Sequence, residues 1–201
     1  MPRRPIAVAI TGGIGAGKSE LLRAFARHGA ATISSDEIVH RLLREDDEVR
    51  RAIVERWGDR ALDEAGQIDR QAIGKIVFAD RDELAWLEGL LHPRVVREYL
   101  AWREELAGLP SPPALCVTEV PLLYEVGGEI RFDAVVALTA PRKLREARGR
   151  VVVDDRESRL VPEKEKLERA DFSYVNTGTI EELEEFVRGV AGALEARVSA
   201  S

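Results

Sequence analysis

Residues 6–19 read IAVAITGGIGAGKS, an apolar run followed by a glycine-rich loop. The run from Ile6 to Ile10 has the length and continuity of a strand that is buried on both faces of a sheet. After the loop, apolar residues recur at the spacing of one helical face. Gly12, four further residues and then Gly17-Lys18-Ser19 satisfy the P-loop pattern, in the strand-loop-helix setting that the motif requires. The stretch therefore predicts a nucleoside triphosphate site in an α/β fold.

The loop carries the chemistry of phosphate binding. Its glycines allow backbone amides to turn toward phosphate oxygens, and the following helix adds its positive end. Lys18 is expected to reach the β and γ phosphates, and the Ser19 hydroxyl to bind Mg²⁺. The alternative is a glycine-rich turn that only joins a strand to a helix. The predicted nucleotide-binding residues of this segment are Gly13, Gly15, Ala16, Gly17, Lys18, Ser19 and Glu20.

Composition narrows the class of protein. Of 201 residues, 45% are hydrophobic and 33% are charged, as in a globular domain with one core and a smaller appendage. The net charge of −6 argues against nucleic-acid binding by general electrostatic attraction. No stretch approaches the ~20 apolar residues of a membrane helix, and the N-terminal apolar run is too short for a signal peptide, so we expect a cytoplasmic location. The single cysteine, Cys116, excludes an internal disulfide and is expected to be buried.

Further strands and helices follow along the chain. Strands are expected near Ala31–Ser34, 115–118, 133–139 and 172–175, which with the first gives a parallel five-stranded sheet flanked by helices. Residues from about 46 to 108 show helical spacing and form an insertion, either a substrate-binding lobe or scaffold packing. Within it, His92-Pro93 predicts that a helix ends near residue 91 and a new one begins.

Polar residues at strand ends provide further candidates, each with two interpretations. Asp36 follows the second strand, where a carboxylate either accepts a proton from an attacking hydroxyl or caps the next helix. Glu119 follows the strand at 115–118 and either holds Mg²⁺ or ends the strand in solvent. The arginines between residues 142 and 150 either clamp the transferred phosphoryl group or form an exposed basic face.

Several motifs together make the sequence resemble the dephospho-coenzyme A kinase family over nearly the whole chain. The resemblance rests on the P-loop preceded by Thr11, Asp36, Asp69-Arg70 with Ile76-Val77-Phe78, Leu91-His92-Pro93, Pro121-Leu122-Leu123-Tyr124-Glu125, Lys166 before Ala170-Asp171, and Asn176-Thr177-Gly178.

The resemblance implies ATP-dependent phosphorylation of the ribose 3′-hydroxyl of dephospho-coenzyme A, with Mg²⁺. It also implies a P-loop kinase fold that has core, substrate-binding and lid parts, with the lid at about 141–165. By the same resemblance, Asp36 faces the acceptor hydroxyl and Asn176 lies near the adenine end of the ATP site. The acceptor-side wall that it implies comprises Arg70, Phe78, His92, Leu122 and Tyr124.

The sequence also departs from the family pattern. Ser34 stands where a second acid is common, Glu20 follows the loop serine in place of threonine, and Leu160 replaces a common glutamine. The lid is several residues shorter than usual, and its phosphate-clamping arginine is either Arg148, our first choice, or Arg150. A short lid predicts more ATP hydrolysis without acceptor. The competing functions are another small-molecule P-loop kinase and a nucleotide-binding regulatory module, and the oligomeric state stays open.

Overall fold

The computed structural model describes residues 4–147 and 160–199, with side chains as far as residue 197. Five strands form one sheet in which every neighbouring pair is parallel, in the order β2-β3-β1-β4-β5. The predicted parallel five-stranded sheet is therefore confirmed. The strands are β1 Ile6–Gly12, β2 Ala31–Ser34, β3 Leu115–Glu119, β4 Ala134–Thr139 and β5 Phe172–Val175.

Helices fill most of the intervals between the strands. None of those in the described ranges is both long and apolar enough to cross a lipid bilayer. Short 3-10 helices lie at Gly58–Ala61 and Glu129–Arg131. The α-helices are α1 Lys18–Arg27, α2 Ser35–Glu45, α3 Asp47–Trp57, α4 Arg70–Ala79, α5 Arg81–Ala107, α6 Arg142–Ala147, α7 Glu163–Arg169 and α8 Ile180–Ser199.

The chain divides into two compact units. The first contains the residues up to Ser34 and those from Trp102 onward, and holds the whole sheet. Strand β1 lies at its centre and every residue of the strand is buried, which explains the unbroken apolar run in the sequence. Helices α1 and α8 contribute Leu21, Phe25 and Val187 to the same hydrophobic cluster. Cys116 in β3 is buried as predicted, and burial raises the pKa of its thiol.

The second unit covers Ser35–Ala101 and is helical. It contains α2 as well as helices of the insertion expected at about 46–108. Two of its helices begin at aspartate caps: Asp46 accepts hydrogen bonds from backbone N–H groups at 2.9 Å, and Asp69 does so at 2.8 and 3.2 Å. Val49, Ile53 and Trp57 of α3 are buried at helical spacing and supply part of its interior.

The predicted break at His92-Pro93 is wrong, because α5 runs without interruption from Arg81 to Ala107 with Pro93 inside it. Proline removes one helical hydrogen bond and crowds the preceding turn, which disfavours this position. Burial offsets that cost, because Leu91, Val95 and Tyr99 are buried at four-residue spacing on both sides of the proline.

Candidate active site

The loop between β1 and α1 requires glycine at three positions for two different reasons. Gly15 and Gly17 have φ angles of 74° and 101°, in the left-handed region that side chains disfavour. Gly12 has a φ of 146°, and a β-carbon there would lie 2.0 Å from the Leu138 carbonyl oxygen of the neighbouring strand. Backbone conformation thus favours glycine at all three positions, and contact with the neighbouring strand adds a second reason at Gly12.

Lys18 is the first residue of α1, and its ammonium group turns back over the start of the loop. Its Nζ donates hydrogen bonds to the carbonyl oxygens of Gly12 and Gly13, at 3.2 and 3.0 Å. A cation is therefore held at the loop beside the positive end of a helix, and both favour an anionic ligand.

Ser19 and Glu119 provide two oxygen atoms at the same edge of the sheet. Glu119 is the last residue of β3, is 4% exposed, and lies in register with Ile10 of β1 and Ser34 of β2. The Ser19 hydroxyl donates a hydrogen bond to Glu119 Oε2 at 3.5 Å. Hydroxyl and carboxylate oxygens are ligands that Mg²⁺ accepts, with phosphate and water completing its shell, so this pair fits the predicted metal.

No group of three or more histidine, cysteine or acidic residues able to hold a metal ion occurs among residues 4–147 and 160–199.

Glu20, predicted beside the nucleotide, has its side chain engaged on the surface of α1. It pairs with Arg23 at 2.7 Å and with Arg27 at 3.0 Å. Hydrogen bonding from Arg23, followed by that from Arg27, lowers the pKa of this carboxyl group against the opposing effect of burial. Any contact of Glu20 with a nucleotide is therefore expected through its backbone, and it stays a prediction.

Asn176 follows β5 and braces the loop from the side. Its side chain is 4% exposed and donates a hydrogen bond from Nδ2 to the Ala16 carbonyl at 2.8 Å. The side-chain oxygen accepts from the Gly178 N–H at 3.1 Å, and the Asn176 N–H donates to the Thr139 carbonyl at 2.8 Å. The sequence predicted nucleotide contact for this residue, and the structure adds a direct hold on the loop.

An acidic side chain that the sequence analysis missed packs on the loop. Glu163 begins α7; its Oε2 accepts a hydrogen bond from the Thr139 hydroxyl at 2.7 Å and its Oε1 one from Arg145 Nη1 at 3.0 Å. A β-carbon on Gly13 would lie 1.6 Å from the same Oε1. The only trace of this contact in the sequence is the second glycine of the loop, which leaves room for the carboxylate.

The predicted clamp, Arg148, lies outside the described residues, and so does Arg150. Arg145, from the same arginine-rich segment, is described, and it donates a hydrogen bond to the Glu163 carboxylate beside Gly13.

Leu122 and Tyr124 lie in the turns after β3, in the first unit. Leu122 is half-buried, whereas Tyr124 is 6% exposed and packs in a hydrophobic cluster with its ring beneath the Arg169 guanidinium at 4.2 Å. Burial raises the pKa of its hydroxyl. Glu125 anchors the same turns through a 2.7 Å ion pair with the buried Lys166. A contact of Leu122 and Tyr124 with the acceptor stays a prediction.

Four other predicted residues belong to the second unit. Asp36 is exposed in the first turn of α2. Because that helix already begins at Ser35, Asp36 lies within the helix and not before it as a cap would. Arg70 is exposed at the first residue of α4, Phe78 on the same helix is 58% exposed, and His92 is half-buried in α5. Their contact with an acceptor stays a prediction.

Comparisons with known proteins agree on one family. A family model described as dephospho-CoA kinase matches residues 6–182. A dephospho-CoA kinase of Leifsonia xyli is 36% identical over 182 residues, covering 87% of this chain and 91% of that protein. The corresponding protein of Thermobifida fusca is 33% identical and covers 95% of this chain and 97% of its own length.

Solved structures resemble the chain in fold as well. A Thermus thermophilus protein superposes with a TM-score of 0.75 at 33% identity, over 96% of this chain and 99% of that one. A dephospho-CoA kinase from Campylobacter jejuni gives a TM-score of 0.68 at 25% identity, over 94% of this chain and 97% of its own.

Proposed function

The chain belongs to the dephospho-CoA kinase family, and we propose that it transfers the γ-phosphoryl group of ATP to the ribose 3′-hydroxyl of dephospho-coenzyme A. The products are ADP and coenzyme A, so the reaction is the last step of coenzyme A synthesis. The observation that carries the proposal is the phosphate loop itself: Lys18 folded over it and the Ser19–Glu119 oxygen pair beside it. We place the reaction in the cytoplasm.

The loop binds the triphosphate. Phosphate oxygens displace the Gly12 and Gly13 carbonyls as partners of Lys18, whose ammonium then neutralises charge that develops on the transferred group. Asn176 holds the loop in shape by its hydrogen bond to Ala16, so the backbone needs little rearrangement when ATP arrives.

Ser19 and Glu119 are the residues that would hold Mg²⁺, the hydroxyl directly and the carboxylate directly or through water. When bound there, the ion would supply positive charge beside the phosphates, which would lower the cost of breaking the bond to the leaving group. Removal of the Glu119 charge is therefore expected to raise the Mg²⁺ concentration needed for half-maximal rate.

Asp36 is proposed as the residue that receives the acceptor proton. Strand β2 ends at Ser34, in register with Glu119, and Asp36 follows two residues later with an exposed carboxylate. The 3′-oxygen forms a bond to the γ phosphorus as its proton passes to Asp36, and the bond from phosphorus to the leaving oxygen of ADP breaks. Arg70, Phe78, His92, Leu122 and Tyr124 are proposed to line the acceptor side, and Arg148 to contact the phosphoryl group.

The test is ATP turnover with dephospho-coenzyme A against a panel of nucleoside monophosphates and sugar acids. Of these acceptors, we expect only dephospho-coenzyme A to be phosphorylated. Efficient phosphorylation of another acceptor, with no phosphorylation of dephospho-coenzyme A, would show that the protein is a different small-molecule kinase.

Two variants assign the roles. Asp36→Asn should reduce kcat by about 10²-fold or more, in the range of general-base effects, whereas the neighbouring exposed acid offers Glu37→Gln as a matched control with near-normal rate. Lys18→Met should cost on the order of 10²-fold in rate because a fixed cation at the phosphoryl group is lost. Near-normal turnover in Asp36→Asn would remove the proton-acceptor assignment and leave the nucleotide site intact.

A further inference from the structure

A carboxylate packed against a phosphate-binding loop requires a reason, because the loop is built to attract anions. Glu163 is such a carboxylate. Its Oε1 occupies the space where a side chain on Gly13 would begin, since a β-carbon there would lie 1.6 Å from that atom. The backbone of Gly13 is not in the left-handed region, so a β-carbon at this position would first have to displace the end of the Glu163 side chain.

The same carboxylate joins three pieces of the first unit. Oε2 accepts the hydroxyl hydrogen bond of Thr139, the last residue of β4, at 2.7 Å. Oε1, the atom against Gly13, also accepts from Arg145 Nη1 on α6 at 3.0 Å. The guanidinium of Arg145 is thereby held beside the loop, with its side chain only 12% exposed.

We propose that Glu163 is a positioning residue for nucleotide binding, and that it holds the guanidinium of Arg145 at the loop, where Arg145 binds the phosphate chain of ATP. A guanidinium presents five N–H donors in a planar fork, so it can keep one bond to Glu163 and give others to phosphate oxygens. A fixed donor also loses less conformational entropy on binding than a free side chain does. Glu163 therefore acts through Arg145, and its negative charge is neutralised by the residue that it holds.

This inference rests on the proposed function only for the identity of the nucleotide. Its consequences are measured by equilibrium binding of ATP in the absence of any acceptor, so a wrong acceptor assignment would leave them unchanged. Turnover of dephospho-coenzyme A by the unmodified protein tests the acceptor separately.

A double-mutant cycle tests the pair. Arg145→Gln should weaken ATP binding roughly tenfold or more, the range for loss of a charge-assisted hydrogen bond. Glu163→Gln keeps the size of the side chain and an acceptor for Thr139 but weakens the hold on Arg145, so we expect roughly a three- to tenfold loss. The double variant should bind ATP no more weakly than Arg145→Gln alone, because Glu163 acts only through Arg145.

Glu168→Gln is the matched control. Glu168 lies on the same helix, α7, but its side chain is 64% exposed and its partner is Lys164 at 3.7 Å. Its removal should leave ATP affinity within twofold of the unmodified protein.

A purely structural role for Glu163 is separated by comparing ligands. If Arg145 binds the phosphate chain, the loss of affinity in Glu163→Gln should be several times larger for ATP than for AMP. Arg145→Lys should bind ATP more tightly than Arg145→Gln, because lysine keeps the positive charge. Equal losses for ATP and AMP would overturn the proposal. So would multiplicative effects of the two substitutions, or tighter ATP binding by Glu163→Gln, which would make the carboxylate a competitor of phosphate.

Discussion

Asn176→Asp tests the brace on the loop, because it replaces the side-chain NH2 group with an oxygen and keeps the other side-chain oxygen. The Asn176 oxygen would still accept from the Gly178 N–H, now through a carboxylate. The Nδ2 donor to the Ala16 carbonyl, at 2.8 Å, would be replaced by an oxygen that cannot donate when it is ionised. The loop would then lose its brace at a buried site.

The expected loss follows from the burial of Asn176 at 4% exposure. Removal of one partner from a buried hydrogen bond costs about 1–3 kcal/mol, more where a charge is introduced. If the substitution destabilises the loop conformation that binds nucleotide by this amount, ATP affinity at pH 8 falls by roughly 5- to 150-fold, at 1.4 kcal/mol for each factor of ten. Asn176→Ala, which loses both contacts without adding charge, is the companion variant.

The pH dependence gives the sharper result. Burial disfavours the charged form, so the pKa of the introduced carboxyl group is expected above the usual value of about 3.9 for aspartate. Below that pKa the group is protonated and can donate its O–H to the Ala16 carbonyl. The ratio of the ATP dissociation constants of Asn176→Asp and the unmodified protein should therefore fall as the pH falls from 8 toward 5.

Titration with a fluorescent ATP analogue at several pH values measures this ratio, with thermal unfolding of each variant at the same pH to restrict the comparison to folded protein. Asn176→Ala should show a pH-independent ratio. A ratio near one for Asn176→Asp at every pH would show that Asn176 does not brace the loop for binding, and a ratio that rises on acidification would refute the protonation argument.

Two further predictions concern other contacts. Gly13→Ala should weaken ATP binding because its β-carbon would displace the Glu163 carboxylate and with it the hold on Arg145, so adding Glu163→Gln to Gly13→Ala should weaken binding little further; losses that multiply would contradict this reasoning. Hydrogen bonds from Arg56 and then Trp57 lower the pKa of Glu83 from its usual 4.5, so this carboxylate stabilises the fold above pH 4.5 and the effect is lost as the pH falls through the lowered pKa. Glu83→Gln should therefore unfold at a lower urea concentration than the unmodified protein at pH 7, and the difference should shrink below pH 4.5; a constant difference would contradict the assignment.

The sequence predicted the sheet well because its signals are local. A short apolar run, a glycine-rich loop and a strand-end acid each report their structure within a few residues, and β1, Lys18 and Glu119 were found in this way. The continuous helix α5 was missed because the penalty of Pro93 is local, whereas the burial of Leu91, Val95 and Tyr99 that outweighs it depends on tertiary packing.

The candidate site was predicted where a motif defines it and missed where long-range contacts do. Glu163 lies 150 positions after Gly13 in the sequence, and nothing near residue 163 indicates that its carboxylate packs on the loop. The contact of Asn176 with Ala16 likewise joins residues that are 160 positions apart in the sequence. Both residues follow strands β4 and β5 at the carboxyl edge of the sheet, so the order of strands, which sequence alone does not specify, is what brings them to the phosphate loop.

We propose that this loop serves phosphoryl transfer to the ribose 3′-hydroxyl of dephospho-coenzyme A. Incubation of the purified protein with γ-labelled ATP, Mg²⁺ and dephospho-coenzyme A, followed by mass spectrometry of the acceptor product, tests it most directly. We expect one labelled phosphoryl group, located on the ribose 3′-oxygen, together with ADP, and a strong reduction of this product in Lys18→Met. A label on another position, or ADP released without any labelled acceptor, would contradict it.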